Sequence, residues 1–356
     1  MNDRILDLKQ QLKQHNIQGM IVSNPINIKY LTNLEAEGVF LVNSSENIFI
    51  TDSRYIEGVN NKLTIEDEIV VYDFKDLTEI DYENFFSESG NVGFEEDYVV
   101  YSEYKKLLQK YKVNLVETEG IVEKQRLIKD DEEIQNISNA CKITDDCFEY
   151  ILKYIQIGMT EKEIAEEMRD FMIKAGAEDL SFDTIVASGN NSSIPHAVPT
   201  DKKIVGNEVL LLDFGCKYNG YCSDCTRTIY IGKAPEDFKD IYKFVLAEQE
   251  FLLKELKDGA NLKNVITDRI ISYQKNNYSI FHAFGHGVGL EIHEKPSLNN
   301  KNDYILKKNM VVTDEPGVYF PGRYGIRIED TVLVNNTIGS ERLTKSSKEL
   351  IELNLY

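Results

Sequence analysis

The sequence has no long apolar run, and it lacks the motifs of several large enzyme classes. Nowhere do about 18 apolar residues follow one another, as a transmembrane helix requires. The N-terminal segment MNDRILDLKQQLKQ has the pattern of an amphipathic helix, without the apolar stretch of a signal peptide. We therefore expect a cytoplasmic protein. The G-x-S-x-G elbow, the P-loop and a strand-borne G-x-G-x-x-G are absent, so serine-hydrolase and nucleotide-binding chemistry are not expected.

Basic residues and cysteines are also few. The chain has 40 Lys and Arg against 60 Asp and Glu, which gives a formal net charge of -20. This negative charge repels phosphate backbones and anionic membranes, so neither nucleic acid nor a membrane is an expected partner. Five cysteines without an export signal predict reduced thiols rather than a disulfide framework. Cys222 and Cys225 lie in a strand-like run that lacks the second ligand pair of a zinc site.

The length and the order of elements predict two domains. A chain of 356 residues exceeds the roughly 250 residues at which single hydrophobic cores stop growing. Helical and strand-like stretches alternate at first, which predicts a small α/β domain over residues 1–124. Its predicted elements are a helix over 3–15 and strands in GMIVSN, GVFLVNSSENIFITD, EIVVYDF, NVGFEED and VNLVETE. The charged segment EKQRLIKDDEEIQ then marks the boundary to a second domain over 125–356.

The second domain contains a weak internal repeat. In its first half one helix ends near Gly158, a capping box at Thr160 and Glu163 begins a second helix that ends at Gly176, and the strands VLLLDFG and SDCTRTIYIG follow. In its second half a helix over about 236–257 precedes a helix from about Leu262, a histidine-rich strand, and the strands MVVTDEPGVYF and IRIEDTVLV. Two similar helix-helix-hairpin units predict a pseudo-symmetric α+β domain with a shared central site.

Each hairpin carries one carboxylate on its outgoing strand and one on its returning strand. These acids are Asp213 and Asp224 in the first hairpin, and Glu315 and Glu329 in the second. Because side chains alternate along a strand, the neighbouring acids Asp314 and Asp330 point to the opposite face. A charge flanked by apolar runs such as VLLLDFG or RIEDTVLV is costly to bury without a partner. The four acids are therefore candidates for a shared site.

Histidines are rare but concentrated in the same domain. His15 lies on the polar face of the first helix and is interpreted as an ordinary surface residue. The other four are His196, His282, His286 and His293. A lone histidine is more often a satisfied core residue, but several imidazoles clustered with four acids favour a metal site. Such ligands suit manganese, cobalt, iron or zinc, and carboxylates can bridge two of these ions.

The segments that carry these residues resemble the pita-bread metallopeptidases, which include Xaa-Pro aminopeptidase, Xaa-Pro dipeptidase (prolidase) and methionine aminopeptidase. The matching segments, in family order, are SFDTIVASG with IPHAVP, LLLDFG with GYCSDCTRT, HAFGHGVGLEIHE, TDEPGVY and GIRIED. NPINIKYLTN and ITDSRY resemble the creatinase-like accessory domain, which methionine aminopeptidases lack. The resemblance covers nearly the whole chain and implies a small N-terminal α/β domain followed by a pita-bread catalytic domain.

The resemblance also implies a set of ligands for two divalent metal ions. The residues that match the family's ligands are Asp213, Asp224, His286, Glu315 and Glu329. Asp224 and Glu329 would bridge the two ions. Asp213 would complete the coordination of one ion and His286 that of the other. Glu315 would take and pass on the proton of the shared water. Two cations lower the pKa of such a water and polarise the scissile carbonyl. Manganese is the first choice, with cobalt, zinc or iron as alternatives.

Further residues match the family's substrate-binding groups. His196 and His293 match histidines that hold the substrate and stabilise the tetrahedral intermediate as preorganised donors. Arg327 lies two residues before Glu329 and shares its face; a salt bridge that orients a metal ligand and a substrate contact are both open interpretations. His282 has no assigned catalytic role, and either support of a metal ligand or packing around the site is favoured for it.

The resemblance thus implies a homodimeric peptidase that removes the N-terminal residue in front of proline from proline-containing peptides. Some prolidases carry an arginine after the proline of their H-E-x-P segment, where it meets a dipeptide's carboxylate. Here Pro296 is followed by Ser297, so dipeptidase and aminopeptidase activity both stay open. The alternative is a pita-bread protein without this chemistry, either non-catalytic or of the metal-free creatinase type. Such relatives have generally lost ligands, whereas all five are present here.

Overall fold

The computed structural model describes residues 3–76, 85–86, 90–301, 303–336 and 339–355. The chain divides into two compact units, Met1–Arg126 and Leu127–Tyr356. None of the helices in the described ranges has both the length and the apolar character that crossing a membrane requires.

The first unit is built on one six-stranded mixed sheet. Its strands are β1 (Gly19–Val22), β2 (Gly38–Asn43), β3 (Asn47–Thr51), β4 (Ile69–Asp73), β5 (Asn91–Phe94) and β6 (Asn114–Glu117). The order is β4-β3-β2-β1-β5-β6, with β1, β2 and β3 antiparallel and the other pairs parallel. Its helices are α1 (Asp3–Gln14), α2 (Pro25–Thr32), α3 (Ile56–Lys62), α4 (Tyr101–Tyr111) and α5 (Ile121–Arg126). The predicted α/β pattern, with the helix near the N-terminus and each predicted strand, is confirmed.

The start of α2 shows how the sequence fixes an element in this unit. The Asn24 side chain accepts a hydrogen bond from the backbone N–H of Ile26, and Pro25 occupies the first helical position. Glu95, which is 4% exposed, accepts hydrogen bonds from the backbone N–H groups of Ser23 (2.6 Å) and Asn24 (2.7 Å). The carboxylate that follows β5 therefore holds the N-terminal end of α2 in place.

The second unit combines long helices with small sheets. Its helices are α6 (Asp131–Tyr154), α7 (Glu161–Lys174), α8 (Glu236–Glu255) and α9 (Leu262–Lys275). Its strands are β7 (Asp179–Leu180), β8 (Ile185–Ser188), β9 (Glu208–Phe214), β10 (Cys216–Tyr218), β11 (Tyr221–Cys222), β12 (Cys225–Ile231), β13 (Val311–Asp314), β14 (Gly317–Phe320), β15 (Tyr324–Arg327), β16 (Asp330–Val334), β17 (Ser340–Arg342) and β18 (Glu352–Leu353). The sheet orders are β18-β12-β9-β8, β11-β10-β7, β13-β16-β17 and β14-β15. One apolar core gathers mainly residues 140–231, and another mainly residues 234–334.

Backbone hydrogen bonds at equivalent points of the two halves confirm the internal repeat. The paired bonds are Gly158 N–Ile204 O with Gly259 N–Leu306 O, both 2.9 Å, and Glu161 N–Lys202 O (3.1 Å) with Leu262 N–Tyr304 O (2.8 Å). The predicted capping box of Thr160 and Glu163 is present at the start of α7. Asn261 caps α9 at the equivalent place. The second unit is therefore pseudo-symmetric, as the sequence predicts.

The strands of the second hairpin are each broken at an acid, which the sequence does not predict. The segment MVVTDEPGVYF forms β13, which pairs with β16, and β14, which pairs with β15. Glu315 lies in the break between β13 and β14, and Glu329 lies in the break between β15 and β16. Each side chain is thus placed where the backbone changes its pairing partner.

The prediction of a histidine-rich strand is wrong. Within the described residues, the segment 281–296 makes isolated bridges of Gly287 to Glu294 and to Val312 but belongs to no strand. A Cβ on Gly285 would lie 2.1 Å from the carbonyl oxygen of Thr313, and one on Gly287 would lie 2.2 Å from that of Lys295. The glycines let the backbone pack closely against its neighbours, and this close packing replaces a regular ladder.

Candidate functional site

The predicted metal ligands come together in the second unit. Asp224 directly precedes β12, Glu315 directly follows β13, and Glu329 lies between β15 and β16. Ligand atoms of Asp224, His286 and Glu329 lie within 4.8 Å of one another. His286 Nε2 is 3.4 Å from Asp224 Oδ2 and 3.6 Å from Glu315 Oε1. Four of the five predicted ligands therefore surround one point.

Asp213, the fifth predicted ligand, lies on β9 beside this cluster. In the antiparallel pairing of β9 with β12 it stands opposite Thr226, two residues from Asp224. Its Oδ2 accepts a hydrogen bond from Arg327 Nη2 at 2.5 Å. Its Oδ1 is buried and has no hydrogen-bond partner among the described residues. A buried carboxylate oxygen without a hydrogen-bond partner destabilises the folded protein, and a bound metal ion would supply the missing interaction.

Burial of Asp224, Glu315 and Glu329, which carry like charges, shifts their pKa values upward. Burial, and then the charge of Glu329, raises the pKa of Asp224 and of Glu315 well above the usual range. Burial and the charge of Asp213 raise the pKa of Glu329 to about 7. Divalent cations relieve the repulsion among such buried carboxylates. The donor set of carboxylates with one imidazole fits manganese, cobalt, iron or zinc.

Arg327 is 3% exposed and binds groups of the chain itself. Besides Asp213, its guanidinium donates to the Thr226 hydroxyl at 3.0 Å and to the Tyr319 hydroxyl at 2.7 Å. It also donates to the Pro195 carbonyl at 3.2 Å. Of the two open interpretations, these contacts support a salt bridge that orients Asp213.

Two residues of the site, Thr226 and Tyr319, are not among the predicted ones. Thr226 Oγ1 donates a hydrogen bond to Glu329 Oε2 at 2.5 Å. Strand alternation contains the signal for Thr226, because it lies two residues after Asp224 and shares its face. The Tyr319 hydroxyl lies beside Arg327 and 2.8 Å from His282 Nε2. No sequence pattern points to Tyr319, since a break in the strand separates it from Glu315.

His282 lies beside the cluster but is held by the protein on both ring nitrogens. Its Nδ1 is 2.6 Å from the carbonyl oxygen of Ala283, and its Nε2 faces the Tyr319 hydroxyl. Burial, and then the charge of Arg327, lowers the pKa of His282 to about 4. The ring is therefore neutral at physiological pH. Its Nδ1 lies 3.7 Å from Glu315 Oε2, so support of this predicted ligand and packing both stay open for His282.

His196 and His293 are exposed, unlike the other groups of the site. The ring centroids of His293 and His286 are 4.4 Å apart. Burial, and then the positive charges of His286 and His196, lowers the pKa of His293. The His293 ring therefore lies directly beside the predicted ligand His286, and the charge of His196 reaches His293.

Comparisons with known proteins agree with this geometry. Residues 4–128 match the creatinase/prolidase N-terminal domain, and residues 135–336 match metallopeptidase family M24. The chain is 34% identical over 358 residues to an Xaa-Pro dipeptidase of Pyrococcus furiosus, covering 99% of this chain and 100% of the relative.

Solved structures of the same kind superpose on nearly the whole chain. An Xaa-Pro dipeptidase from Bacillus anthracis has a TM-score of 0.92 and 37% identity, covering 99% of both chains. An X-Pro aminopeptidase from Thermotoga maritima has a TM-score of 0.86 and 30% identity, covering 96% of this chain and 99% of that one. The pita-bread fold predicted from the sequence is confirmed. The chain belongs to metallopeptidase family M24 and carries a creatinase/prolidase N-terminal domain.

Proposed function

We propose that this protein is a metal-dependent Xaa-Pro peptidase, which hydrolyses the bond between an N-terminal residue and a following proline. The proposal is carried by the buried cluster of Asp224, His286, Glu315 and Glu329 within an M24 domain. Relatives that match nearly the whole chain bear the names Xaa-Pro dipeptidase and X-Pro aminopeptidase. A non-catalytic or creatinase-type protein is not favoured, because all five predicted ligands are present.

We assign two divalent ions to the site, with manganese as the first choice and cobalt, zinc or iron as alternatives. The residues that would hold them are Asp213, Asp224, His286, Glu315 and Glu329. The lone Oδ1 of Asp213 and the close grouping of Asp224, His286 and Glu329 support this assignment. When bound, the ions would lower the pKa of a water molecule and polarise the peptide carbonyl.

In this proposal Glu315 carries a proton from the attacking water to the proline nitrogen that leaves. Its side chain is 16% exposed, against 6% for Asp224, and its Oε1 lies 3.6 Å from His286 Nε2 within the cluster. A carboxylate in this position takes the proton as general base and returns it as general acid. The exposed imidazoles of His196 and His293 hold the substrate and donate to the oxyanion of the tetrahedral intermediate.

Arg327 acts in this proposal by orienting Asp213. Its guanidinium is buried and engaged with the carboxylate, two hydroxyl groups and a carbonyl of the chain. A planar guanidinium that is held on several sides fixes the carboxylate rotamer. A direct contact with the substrate would require these hydrogen bonds to be exchanged.

Other properties belong to the same proposal. The accessory domain spans residues 1–124 and the catalytic domain 125–356, and the division into compact units after Arg126 supports this boundary. We place the enzyme in the cytoplasm, as a homodimer that acts on proline-containing peptides. The net charge of -20 supports the exclusion of nucleic acid and of anionic membranes as partners. Sedimentation analysis of the purified protein tests the dimer directly.

The activity is tested with Ala-Pro, Ala-Pro-Ala and, as a control without proline, Ala-Ala-Ala. The protein is first stripped of metal with a chelator and then supplied with manganese, cobalt, zinc or iron. We expect metal-dependent release of alanine from the proline peptides only, and their ratio separates dipeptidase from aminopeptidase activity. Cleavage of the control at an equal rate would refute the requirement for proline. Absence of cleavage with every ion, despite bound metal, would refute the peptidase proposal.

A further inference from the structure

The charged residue Glu161, at the start of α7, is fully buried and binds a loop instead of capping its helix. Its Oε1 accepts hydrogen bonds from Ser188, through the backbone N–H at 2.7 Å and the hydroxyl at 2.8 Å. Its Oε2 accepts hydrogen bonds from Thr200, through the N–H at 3.0 Å and the hydroxyl at 2.6 Å. The Asn191 amide lies 3.1 Å from both oxygens. One carboxylate thus binds the two ends and the interior of the loop 188–200.

The surroundings of Glu161 favour its ionised form. Burial by itself raises the pKa of this carboxyl, but the hydrogen bonds from Thr200 and Ser188 outweigh it and the pKa is lowered. Lys202 adds a positive charge nearby, with its Nζ at 2.5 Å from the Ser188 hydroxyl and 2.7 Å from Glu208 Oε2. Hydrogen bonds to an ionised acceptor are shorter and stronger than those between neutral groups, so this carboxylate binds the loop strongly.

The same loop is bound on its other side by the hairpin of β14 and β15. The backbone N–H of Gly325 donates to the Ser192 hydroxyl at 3.0 Å. Arg327 donates to the Pro195 carbonyl, one residue before His196. A Cβ on Gly325 would lie 2.2 Å from the carbonyl oxygen of Ser192, so the two backbones are in close contact. His196 therefore stands in a loop that is held between Glu161 and the hairpin that carries Arg327.

In the second half of the unit an apolar residue takes the place of Glu161. Leu262 is the counterpart of Glu161: each is the first residue of its helix, and each is 0% exposed. Each donates its backbone N–H to the equivalent segment, Glu161 to Lys202 and Leu262 to Tyr304. A leucine therefore supports the same junction in the second half. The Glu161 carboxylate therefore has no counterpart at Leu262, and its hydrogen bonds go to the loop 188–200.

We propose that Glu161 is a positioning residue of the peptidase, whose carboxylate holds both ends of the loop 188–200 and so fixes His196 beside the metal-ligand cluster. The inference rests on the proposed function, because His196 is assigned there to bind the substrate. It adds a residue that touches neither the substrate nor the metal ions. Displacement of a catalytic group by about 1 Å can cost about 100-fold in rate, so a loop anchor of this kind acts directly on turnover.

The test uses Glu161→Gln, which keeps the size of the side chain but presents an amide N–H₂ to groups that are themselves donors. Thr200→Val is a milder second variant if the glutamine variant folds poorly, because it removes the hydroxyl that donates to Glu161 Oε2 and keeps the carboxylate. Glu163→Gln is the matched control, because Glu163 lies on the same turn, and a glutamine also completes a capping box with Thr160. Metal content is measured for every variant, and we expect it to equal that of the wild type.

Two readouts do not depend on activity. Hydrogen exchange should rise in the peptide that covers 188–200 in Glu161→Gln and not in Glu163→Gln. Isotope-labelled histidine, with the His196 signal assigned by its loss in His196→Ala, should show a shifted or broadened His196 imidazole while His15 stays unchanged. Unchanged exchange and an unchanged His196 signal would overturn the proposal, whether or not the protein cleaves Xaa-Pro peptides.

The kinetic readout is a double-mutant cycle with His196→Ala. We expect Glu161→Gln to lower kcat/KM by about 10- to 100-fold and Glu163→Gln by less than about twofold. In the His196→Ala background, the Glu161→Gln change should have almost no further effect, because coupled residues are non-additive. Additive losses would overturn the positioning role. A wild type without Xaa-Pro activity would refute the proposed function alone, and the exchange and histidine signals would still decide on Glu161.

Discussion

Gln249 on α8 connects β13 and β16, the strands directly next to two of the proposed metal ligands, and replacing it by leucine should destabilise the second unit. The side chain is 0% exposed, and its Nε2 lies 3.0 Å from Asp314 Oδ2 and 3.0 Å from Asp330 Oδ2. Asp314 and Asp330 face each other in the pairing of β13 with β16. Asp314 directly precedes Glu315, and Asp330 directly follows Glu329.

The expected loss follows mainly from the two N–H groups that the change removes; it also removes Oε1, which accepts a hydrogen bond from Lys348 Nζ at 2.6 Å. Leucine has a similar volume, so Gln249→Leu removes donors without opening a large cavity. A hydrogen bond to a charged group contributes about 1.5–3 kcal/mol, so two of them amount to roughly 3–6 kcal/mol. Burial, and then the charge of Asp330, raises the pKa of Asp314, so protonation of Asp314 offsets part of the loss. We therefore expect about 3 kcal/mol, which lowers Tm by on the order of 10 °C for a unit of this size.

The assay is urea-induced and thermal unfolding, followed by circular dichroism in the presence of a chelator. Glu250→Gln is the control, because Glu250 lies on the exposed face of the same helix, where changes are usually within about 0.5 kcal/mol. Titration with manganese should also show weaker binding to Gln249→Leu, since Glu315 and Glu329 lose support. A Gln249→Leu protein within about 1 kcal/mol of the wild type would refute the reasoning.

Three further changes test the site and the first unit. Glu315→Gln should lose most activity, because it removes the proton carrier and weakens metal binding; turnover assays and metal analysis check this, and wild-type turnover would contradict it. His293→Ala should lower turnover and spare metal content, whereas loss of metal would make His293 a ligand. Burial raises the pKa of Glu95 from its ordinary 4.5 to about 7. The stability that this raised pKa provides is fully present below about pH 4.5 and is lost as the pH rises through about 7. As the pH rises from about 5 to about 8, the urea concentration at the unfolding midpoint should therefore decrease more for the wild type than for Glu95→Gln. The same dependence on pH in both proteins would disprove this.

Much of the site can be found in the sequence because its residues follow local rules. The capping box of Thr160 and Glu163 is a four-residue signal, and it begins a helix where predicted. Strand alternation predicts that Asp314 and Asp330 point away from the candidate ligands, and in the structure both bind Gln249 on α8. Patterns of this kind depend only on residues that are close together in the chain, so they can be recognised from the sequence alone.

Other features cannot be predicted from local patterns. The breaks at Glu315 and Glu329 arise because each strand changes partner, and partner choice depends on the packing of two hairpins. The histidine-rich segment has the composition of a strand, yet close packing of Gly285 and Gly287 against other backbone decides its path. Tertiary contact overrides local preference at these places.

The sequence by itself determined the two-domain order, the repeat, the hairpin acids and the histidines that the site contains. Only the tertiary structure decided how these groups are held. Arg327 reaches Asp213 across 114 positions of the chain, and Gln249 reaches Asp314 across 65. Glu161 reaches Ser188 and Thr200 across 27 and 39 positions. No period or spacing encodes such contacts, because they form only when segments far apart in the chain are packed together and a buried charge must find its donors.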